Sequence, residues 1–405
     1  MLTSLRKRFS AVRDYLRLTP AAKAERRRDR RGLPTQDPGI DRVVEEAIGW
    51  LCRAQDHSAS HDGGVARHYS LLKGWSASYP ETTGYIIPTM FHCAQATGRE
   101  ELRDRAKRML DWLVSIQLPE GAFQGGTVDA GQIVPTIFDT GQILQGLAAG
   151  VREFGDPRYH EAMSRAANWL VKVQAPDGSW PQELSPFALP GAKAYDTHVA
   201  WGLLEAARVE PDKPYAEAAL ANVRWALTLQ QPNGWLDRCC LQMPSQPLTH
   251  TLGYALRGVL EAYRFSRERG FLDAARRTAD GLLTALGADG FLPGRLDSEW
   301  RGTVSWSCLT GTVQIAACWL MLYQDTGEAR YPLRDAAFAA NQYVRRTIKT
   351  EGPPDVRGGI KGSFRVDGGY GTYQYLNWAC KFFVDANLLE RAMRENDAPR
   401  PGVSR

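Results

Sequence analysis

Two short sequence patterns recur along the chain with a period of about 57 residues, and this repeat limits the possible folds more than any other feature. One pattern places a Gly after an acidic or amide residue, and the steps between its glycines are 58, 57, 56, 56 and 62 residues; they are Gly63, Gly121, Gly178, Gly234, Gly290 and Gly352. The other pattern places a Thr at the start of an apolar stretch, and its members are Thr82, Thr140, Thr197, Thr251 and Thr310. Two such marks per period predict a unit of two helices, used about six times. In one such unit the helix at about residues 100–117 pairs with that at 138–154, and in another the helix at 215–229 pairs with that at 249–265.

The character of the two helices in each unit predicts how the units are arranged. Helices before the glycine marks are amphipathic, with Trp112-Leu113 and Trp169-Leu170 among Lys, Arg and Asp residues, whereas helices after them are apolar, as in residues 141–147 and 316–321. A helical hairpin cannot bury its apolar face alone, and a closed ring leaves no unit uncovered. We therefore predict an all-α (α/α)6 toroid, with the amphipathic helices outside and the apolar helices inside.

Charge and composition suggest three segments. We expect a basic N-terminal arm and linker at residues 1–40, the toroid at residues 41–395 and a C-terminal tail at residues 396–405. Residues 1–31 hold eleven Lys or Arg against three acidic residues. Such an arm is typical of a solvated segment and also of one that contacts an anionic membrane surface. Seven cysteines without regular spacing indicate reduced thiols. We expect a cytoplasmic protein with a solvated arm, and contact of the arm with the inner face of the membrane is the alternative.

The residues that open the apolar helices should gather at one mouth of the ring, and this set supplies the candidate catalytic residues: Glu81, Asp139, Asp196, His198 and His250. Two carboxylates facing each other across a cavity can divide into a general acid and a general base, as glycoside hydrolysis requires. A His or Tyr would instead suit proton abstraction next to a uronate. Asp followed by Thr is also a helix-capping pattern, so Asp139 and Asp196 have a purely structural alternative.

Aromatic and basic residues near the same mouth are the candidate substrate contacts. Aromatic faces suit stacking against sugar rings, and Arg suits a substrate carboxylate. The candidates are Trp75, Tyr85, Trp180, Tyr254, Arg295, Arg365, Tyr370 and Tyr373.

Residues from about 40 to 395 resemble the alpha/alpha toroids. Residues 174–180 and 230–235 each begin with Gln and end with Trp, like the repeat of squalene cyclases. Residues 62–85 and the aspartates at inner-helix starts resemble unsaturated glucuronyl hydrolases and N-acylglucosamine 2-epimerases. Residues 359–364 and 373–383 resemble proteins of bacterial polysaccharide gene clusters. This resemblance implies a six-hairpin, glycosidase-like fold with terpenoid cyclase/prenyltransferase-like repeats.

Departures from these families limit the chemistry. The Asp-x-Asp-Asp acid motif of squalene-type cyclases does not occur in the sequence. Asp237, Cys239 and His250 are the residue types of the prenyltransferase zinc site, but His250 follows Cys239 too closely for that family. A zinc site that adds Cys240 is an alternative, as is a metal cluster of the loop residues His57, His61 and His68. We predict no metal and no cofactor.

Together these features predict a carbohydrate-active enzyme. We expect it to hydrolyse a bacterial polysaccharide or a uronic-acid-containing oligosaccharide, with Asp139 and Asp196 as the acid/base pair and a carbohydrate as its partner. A polysaccharide lyase or sugar epimerase that uses His198, His250 and Tyr373 is the alternative within this class. A terpenoid cyclase/prenyltransferase-like toroid and a non-catalytic glycan-binding protein are alternatives of other classes. We expect no specific nucleic-acid partner.

Overall fold

The computed structural model describes residues 15–328 and 332–397. The predicted basic run at residues 6–8 and the predicted tail from residue 398 onward lie outside this part. Within it the chain forms thirteen α-helices. They are α1 (Pro20–Arg30), α2 (Ile40–Asp56), α3 (Pro80–Thr97), α4 (Glu101–Ile116), α5 (Ile137–Phe154), α6 (Pro157–Lys172), α7 (Thr197–Ala207), α8 (Tyr215–Leu227), α9 (Thr249–Ser266), α10 (Arg269–Thr284), α11 (Leu309–Thr326), α12 (Leu333–Arg345) and α13 (Asn377–Asp397). None of the described helices is long and apolar enough to cross a membrane.

Twelve of the described helices, α2 to α13, form two concentric rings. Helices α3, α5, α7, α9, α11 and α13 pack side by side, and α13 closes the inner ring by packing on α3. Helices α2, α4, α6, α8, α10 and α12 pack around them. The predicted (α/α)6 toroid is confirmed. The inner helices are apolar because they are covered on nearly all sides; in α5, for example, every residue from 139 to 150 is buried.

Five of the six hairpins consist of an inner helix and the outer helix that follows it, and the sixth pairs the last described inner helix, α13, with the first outer helix, α2. Helix α3 packs on α4 and α5 packs on α6, and these partners are joined by short turns. Gly98 and Gly155 end the two inner helices in the left-handed conformation, where a residue without a Cβ is favoured. The sequence repeat predicts a different pairing, of each outer helix with the inner helix after its Gly mark, for example residues 100–117 with 138–154. That pairing was wrong, because the long connection carries the chain on to the next hairpin.

A glutamine that recurs at the end of the outer helices explains much of the sequence repeat. Gln174 Nε2 donates to the carbonyl oxygens of Gly178 in the following turn and Ala218 in the next outer helix, each at 2.9 Å. Gln117 makes the same two contacts one unit earlier, to Gly121 and Ala162. We call this arrangement the glutamine staple. It links neighbouring outer helices through the turn that lies between them.

The turn glycines fit closely beneath the next outer helix. Gly121 and Gly178 have φ values of +102° and +88°, and a Cβ at either position would collide with a backbone carbonyl, of Arg165 or Ala221. A side chain is therefore excluded by both backbone conformation and space. The glycine period is thus a requirement of helix packing around the ring.

Helix α1 belongs to the folded body. Lys361 Nζ lies 3.0 Å from Glu25 Oε1 and 2.5 Å from Asp29 Oδ1, and all three side chains are almost fully buried. Arg26 also pairs with Asp367 at 2.7 Å. The expectation of a solvated arm therefore does not hold for Pro20–Arg30, because buried carboxylates facing a buried lysine dock this helix on the body.

Two small antiparallel sheets organise the long connections at one mouth of the ring. Strands β1 (His68–Ser70), β2 (Gly74–Trp75) and β5 (Gln374–Leu376) form one sheet, with β1 in the middle. Strands β3 (Ser307–Cys308) and β4 (Ser363–Phe364) form the other. Because β1 pairs with β5, the first and the last long connections lie together across the mouth.

Candidate active site

A pocket opens at the mouth where the inner helices begin. Its volume is about 190 Å³. The starts of the inner helices supply its carboxyl groups and His250, and the long connections supply Arg67 and much of its apolar wall. The charged and aromatic residues that line it include Arg67, Tyr79, Glu81, Phe138, Asp139, Tyr195, Asp196, His250, Tyr254, Tyr370 and Trp378.

Glu81 and Asp139 are two buried carboxyl groups that influence each other. Glu81 lies in the first turn of α3 and Asp139 in the first turn of α5. Burial raises the pKa of Glu81 to about 7, although hydrogen bonding to Tyr79 and the charge of Arg67 oppose the shift. Burial and the charge of Glu81 raise the pKa of Asp139 well above its usual range. Asp139 Oδ1 is buried and has no hydrogen-bond partner in the structure. Asp139 Oδ1 is therefore available to give or accept a proton.

Asp196 lines the same pocket but also has a capping role. It ends a 3₁₀ turn at Ala194–Asp196, and its Oδ2 accepts a hydrogen bond from the Lys193 N–H at 3.1 Å. Burial raises the pKa of Asp196 to about 7, against the opposing effects of the Lys193 N–H and charge. Asp196 therefore acts in part as a cap, which is the structural role that the Asp-Thr pattern suggests.

Tyr254 lies between His198 and His250, the two histidines predicted as catalytic. Its ring centroid lies 4.4 Å from that of His198 and 4.3 Å from that of His250. His250 Nδ1 lies 2.8 Å from Gln314 Oε1, and burial lowers the pKa of His250 to about 4. Because a glutamine oxygen only accepts, the Nδ1 atom carries the proton and Nε2 is the basic nitrogen. His250 is thus neutral near pH 7 and lines the pocket.

His198 lies just behind the pocket wall. Its Nδ1 is 2.5 Å from Gln142 Oε1, and its buried Nε2 has no partner in the structure. Burial lowers its pKa well below the usual range, and the charges of Arg257 and Lys381 lower it further. The structure therefore places His198 next to Tyr254 as a neutral residue, outside the pocket lining.

Arg67 is the cation of the pocket. Its guanidinium lies over the rings of Tyr79 and Trp378, at 5.6 Å and 5.3 Å from their centroids. Trp378 Nε1 in turn donates to the Tyr370 hydroxyl at 2.8 Å. Arg67 forms no ion pair with any described carboxylate. A guanidinium that is stacked on aromatic rings but not paired is available to bind an anion.

Of the eight predicted substrate contacts, Tyr254 and Tyr370 line the pocket. Tyr85 reaches Tyr254, with their hydroxyl groups 3.4 Å apart. The remaining five do not line it. Trp180 is fully buried, with its Nε1 bonded to the Leu170 carbonyl, and Trp75 is bonded to Asp355. Trp180 thus packs inside the body, and the partly buried Trp75 packs against Trp50 and Tyr69.

Three further predicted contacts also lie away from the pocket. Arg295 donates to the Gln246 carbonyl at 2.6 Å, and Arg365 is exposed. The charges of Arg26, Asp367 and Arg30 act on Tyr373, which places it near α1. The lyase or epimerase hypothesis therefore lacks its predicted tyrosine in the pocket, and Tyr254 occupies the position between the histidines.

Arg67, Tyr79, Phe138, Tyr195 and Trp378 line the pocket but were not predicted as site residues. Three of them stand directly beside a predicted residue or an inner-helix start: Phe138 precedes Asp139, Tyr195 precedes Asp196, and Trp378 is the second residue of α13. Extending the prediction by one residue on each side would have found Phe138 and Tyr195. Arg67 had no such signal, because it lies in an irregular loop.

The described residues contain no cluster of three or more His, Cys, Asp or Glu side chains that could hold a metal ion. The seven cysteines are all free and buried. Cys239 Sγ instead lies 3.4 Å from the Thr251 carbonyl oxygen, with which it can form a weak hydrogen bond. The zinc alternative around Asp237 thus finds no support in the described part of the chain.

Comparison with known proteins agrees with the toroidal architecture. Residues 77–256 match the family of the squalene-hopene cyclase C-terminal domain. An unsaturated glucuronyl hydrolase specific for heparin is similar over 89% of this chain and 99% of its own, with a TM-score of 0.70 and 16% identity. The enzyme from Bacillus sp. GL1 is similar over 87% of this chain and 97% of its own, with a TM-score of 0.68 and 17% identity.

A third similar structure contains a bound saccharide. It is a variant of the unsaturated glucuronyl hydrolase from Streptococcus agalactiae in complex with dGlcA-GalNAc6S. It covers 90% of this chain and 94% of its own, with a TM-score of 0.63 and 11% identity. No match was found among curated protein sequences. At these identities the similarity shows the fold, and the chain is an alpha/alpha toroid that combines a six-hairpin, glycosidase-like architecture with terpenoid cyclase-like repeats.

Proposed function

We propose that the pocket hydrolyses a glycosidic bond at a uronic acid residue of an oligosaccharide. The observation that carries this proposal is the pair of buried carboxyls, Glu81 and Asp139, of which the charge of one raises the pKa of the other. Two interacting carboxyls in one pocket can hold one proton between them and so provide an acid and a base at the same pH. Bacterial polysaccharides, which the sequence predicts as substrates, are one source of such oligosaccharides.

Within this pair, Glu81 is assigned as the base and Asp139 as the acid. Glu81 ionises at a pH of about 7, whereas burial and the charge of Glu81 both favour the protonated form of Asp139. Asp139 then protonates the leaving oxygen while Glu81 activates water. This assignment replaces Asp196 by Glu81 as the partner of Asp139. Asp196 is retained as a contact that shapes the pocket, since Lys193 occupies one of its oxygens.

Arg67 is assigned to the substrate carboxylate. Its guanidinium is oriented by Tyr79 and Trp378, so less conformational entropy is lost when an anion binds. The partly buried ring of Tyr370, which lines the pocket, suits stacking against a sugar ring. The small pocket volume favours a single terminal sugar over the middle of a long chain. The three similar solved structures are of unsaturated glucuronyl hydrolases, which supports a uronate as the terminal sugar.

The decisive test is incubation of the purified protein with a panel of disaccharides that differ only in the terminal sugar. The panel contains a saturated uronate, a 4,5-unsaturated uronate and the matching neutral hexoside. New reducing ends, detected chromatographically, are expected with a uronate and absent with the hexoside. Turnover of the hexoside as fast as the uronates would remove Arg67 from its assigned role. The proposal fails if no member of the panel is cleaved.

An isoprenoid substrate is the second candidate. The squalene-hopene cyclase family matches residues 77–256, a range that includes Glu81, Asp139, Asp196 and His250. The pocket wall is also largely apolar, with Ile137, Phe138, Leu184, Phe187, Leu241 and Leu248 among its residues. A buried, protonated carboxyl could protonate an alkene there. Conversion of a linear polyprenyl substrate, followed by mass spectrometry and chromatography, would favour this candidate over hydrolysis.

A further inference from the structure

A second cavity lies at the opposite end of the ring. Its volume is about 500 Å³, and residues from the middle and the C-terminal halves of the inner helices line it. Its cationic residues are Arg257, Arg264, Lys381 and Arg391, and Asp385 and Glu395 are its acidic residues. Trp201, Pro88, Met321 and Leu388 contribute apolar walls.

Arg257 is a cation of this second cavity that two contacts hold in place. Its guanidinium lies over the Trp201 ring, 4.3 Å from the centroid, and its Nε atom donates to Glu261 Oε1 at 2.7 Å. Its two terminal Nη groups make no hydrogen bond to any other described residue. Stacking and the single bond to Glu261 thus hold the planar group in place while its outer edge is free. This is the geometry that binds a carboxylate or a phosphate with two parallel hydrogen bonds.

Lys381 adds a buried positive charge. Its side chain is 3% exposed, and its Nζ pairs with Asp385 Oδ2 at 2.7 Å, while Asp385 also accepts from the Thr89 hydroxyl at 2.8 Å. Burial lowers the pKa of Lys381, Asp385 opposes this, and the charge of Arg257 lowers it further. The two cations therefore repel each other across the cavity. An anion placed between them would remove that repulsion.

Cations also favour the C-terminal ends of helices, which would be a purely structural reason for their presence. That effect is confined to about the last turn. Arg257 and Lys381 stand two turns or more before the ends of α9 and α13, at Ser266 and Asp397. The helix dipole therefore explains neither of them, although it fits Arg264.

We propose that this cavity binds the oxyanion group of a small organic acid, with Arg257 as the bidentate ligand and Lys381 as the second cation. The ligand is a carboxylate or a phosphate ester whose apolar part packs on Trp201 and Met321. Tyr254 and Arg257 are one helical turn apart on α9, so the two cavities are separated by a thin layer of side chains. The proposal does not depend on the reaction assigned to the first pocket.

The test is calorimetric titration of the full chain with acetate and with inorganic phosphate at constant ionic strength, with acetamide as the neutral comparison. Saturable binding of at least one anion is expected, and none of acetamide. Because Arg67 could also bind an anion, the titration is repeated with Arg67→Gln, in which binding at the second cavity remains. Acetate and phosphate give separate affinities, which distinguish the two kinds of oxyanion.

Arg257→Gln is expected to weaken binding by about tenfold or more, because both parallel hydrogen bonds are lost. Arg208→Gln is the matched control, since Arg208 also stacks on an aromatic ring, that of Phe265, and pairs with Glu205, but does not line the cavity. Ala96→Glu, at an exposed position on the rim, should also weaken binding by adding a negative charge. If Arg257→Gln does not fold, Arg257→Lys is used in its place. This variant keeps the charge but loses the planar guanidinium, so it should also bind the anion more weakly.

Three results would overturn the proposal. One is the absence of saturable anion binding in Arg67→Gln. Another is an equal loss of affinity in Arg208→Gln and Arg257→Gln, which would indicate a general charge effect. The third is full affinity in both Ala96→Glu and Arg257→Lys. Each of these outcomes leaves the acid/base pair of the first pocket untouched.

Discussion

The carboxylate of Glu81 raises the pKa of Asp139 from the neighbouring inner helix, and both groups are buried in one pocket. This relationship follows from the repeat, because residues at the same position of successive units lie side by side at the mouth. Like charges in a poorly solvated site ionise one at a time. A range of pH therefore exists in which one carboxyl is charged and the other is not.

Removal of either carboxyl should abolish the proposed hydrolysis. We expect Glu81→Gln and Asp139→Asn each to lower kcat by about 10²- to 10⁴-fold, which is the usual contribution of a general acid or base. Initial rates on the uronate disaccharide would measure this. Glu120→Gln, at an exposed residue of the repeat turn, is the control and should keep full activity. Retention of most activity by either pocket variant would remove that residue from the acid/base pair.

The pH profile should have a rising limb that belongs to the pair. Glu81, with a pKa of about 7, must be ionised to act as a base, whereas Asp139 must stay protonated to act as an acid. Activity should therefore rise as the pH passes through about 7, where Glu81 becomes ionised, and decline once Asp139 loses its proton. The measurement is kcat/KM as a function of pH. A profile that only falls between mildly acidic and neutral pH would reverse the two roles.

Asp196 should make the wild-type fold less stable as the pH rises. Its pKa is about 7 in the folded protein against 3.8 for an ordinary Asp, so the folded state binds the proton more tightly than the unfolded state. Stability is then lost between these two values as the pH increases. Asp196→Asn removes the ionisation but keeps an oxygen for Lys193. Its advantage over wild type in urea unfolding should be small near pH 4 and reach on the order of 4 kcal/mol at most above pH 8. An equal difference at both pH values would contradict this.

Arg67 should govern the preference for an acidic sugar. Arg67→Gln is expected to raise KM for a uronate disaccharide by about tenfold or more, since a charge-assisted bidentate contact is lost. The matching neutral hexoside lacks the carboxylate, and its binding should change little. The comparison of KM values for the two substrates separates recognition of charge from damage to the pocket. A parallel change for both substrates would point to damage.

Trp180 and Trp378 should respond differently to mutation. Trp180 is fully buried beneath the outer ring, so Trp180→Ala should cost about 3 to 5 kcal/mol of folding free energy, while Trp180→Phe should leave KM unchanged. Trp378 lies under Arg67 and bonds to Tyr370, so Trp378→Phe should raise KM with a small effect on stability. Urea unfolding and steady-state kinetics measure the two quantities. A KM effect for Trp180→Phe would return that residue to the substrate contacts.

The helices were predictable because their signals are local. The expected helix at residues 138–154 is observed as Ile137–Phe154, and the one at residues 215–229 as Tyr215–Leu227. Each has a continuous apolar or amphipathic pattern and a clear end. The predicted gathering of inner-helix starts also places Glu81, Asp139, Asp196 and His250 in one pocket.

What the sequence did not reveal depends on contacts between distant segments. Arg67 reaches the pocket because β1 pairs with β5 and brings the first loop next to Trp378, a partner 311 residues away. Helix α1 docks because Lys361 stands opposite its two carboxylates. Neither contact leaves a periodic trace in the chain. Trp180 was misjudged for the opposite reason, because a conspicuous repeated residue served packing.

The glutamine staple joins the C-terminal end of an outer helix to the turn that follows it and to the next outer helix. The pocket instead forms where the long connections reach the inner helices. The same architecture can therefore keep its shape while the residues at inner-helix starts change identity from unit to unit. Glu81, Asp139, Asp196 and His250 occupy similar positions with three different side-chain types. Six equivalent structural units thus support a mouth that has no internal symmetry, and an asymmetric substrate can be bound in a single orientation.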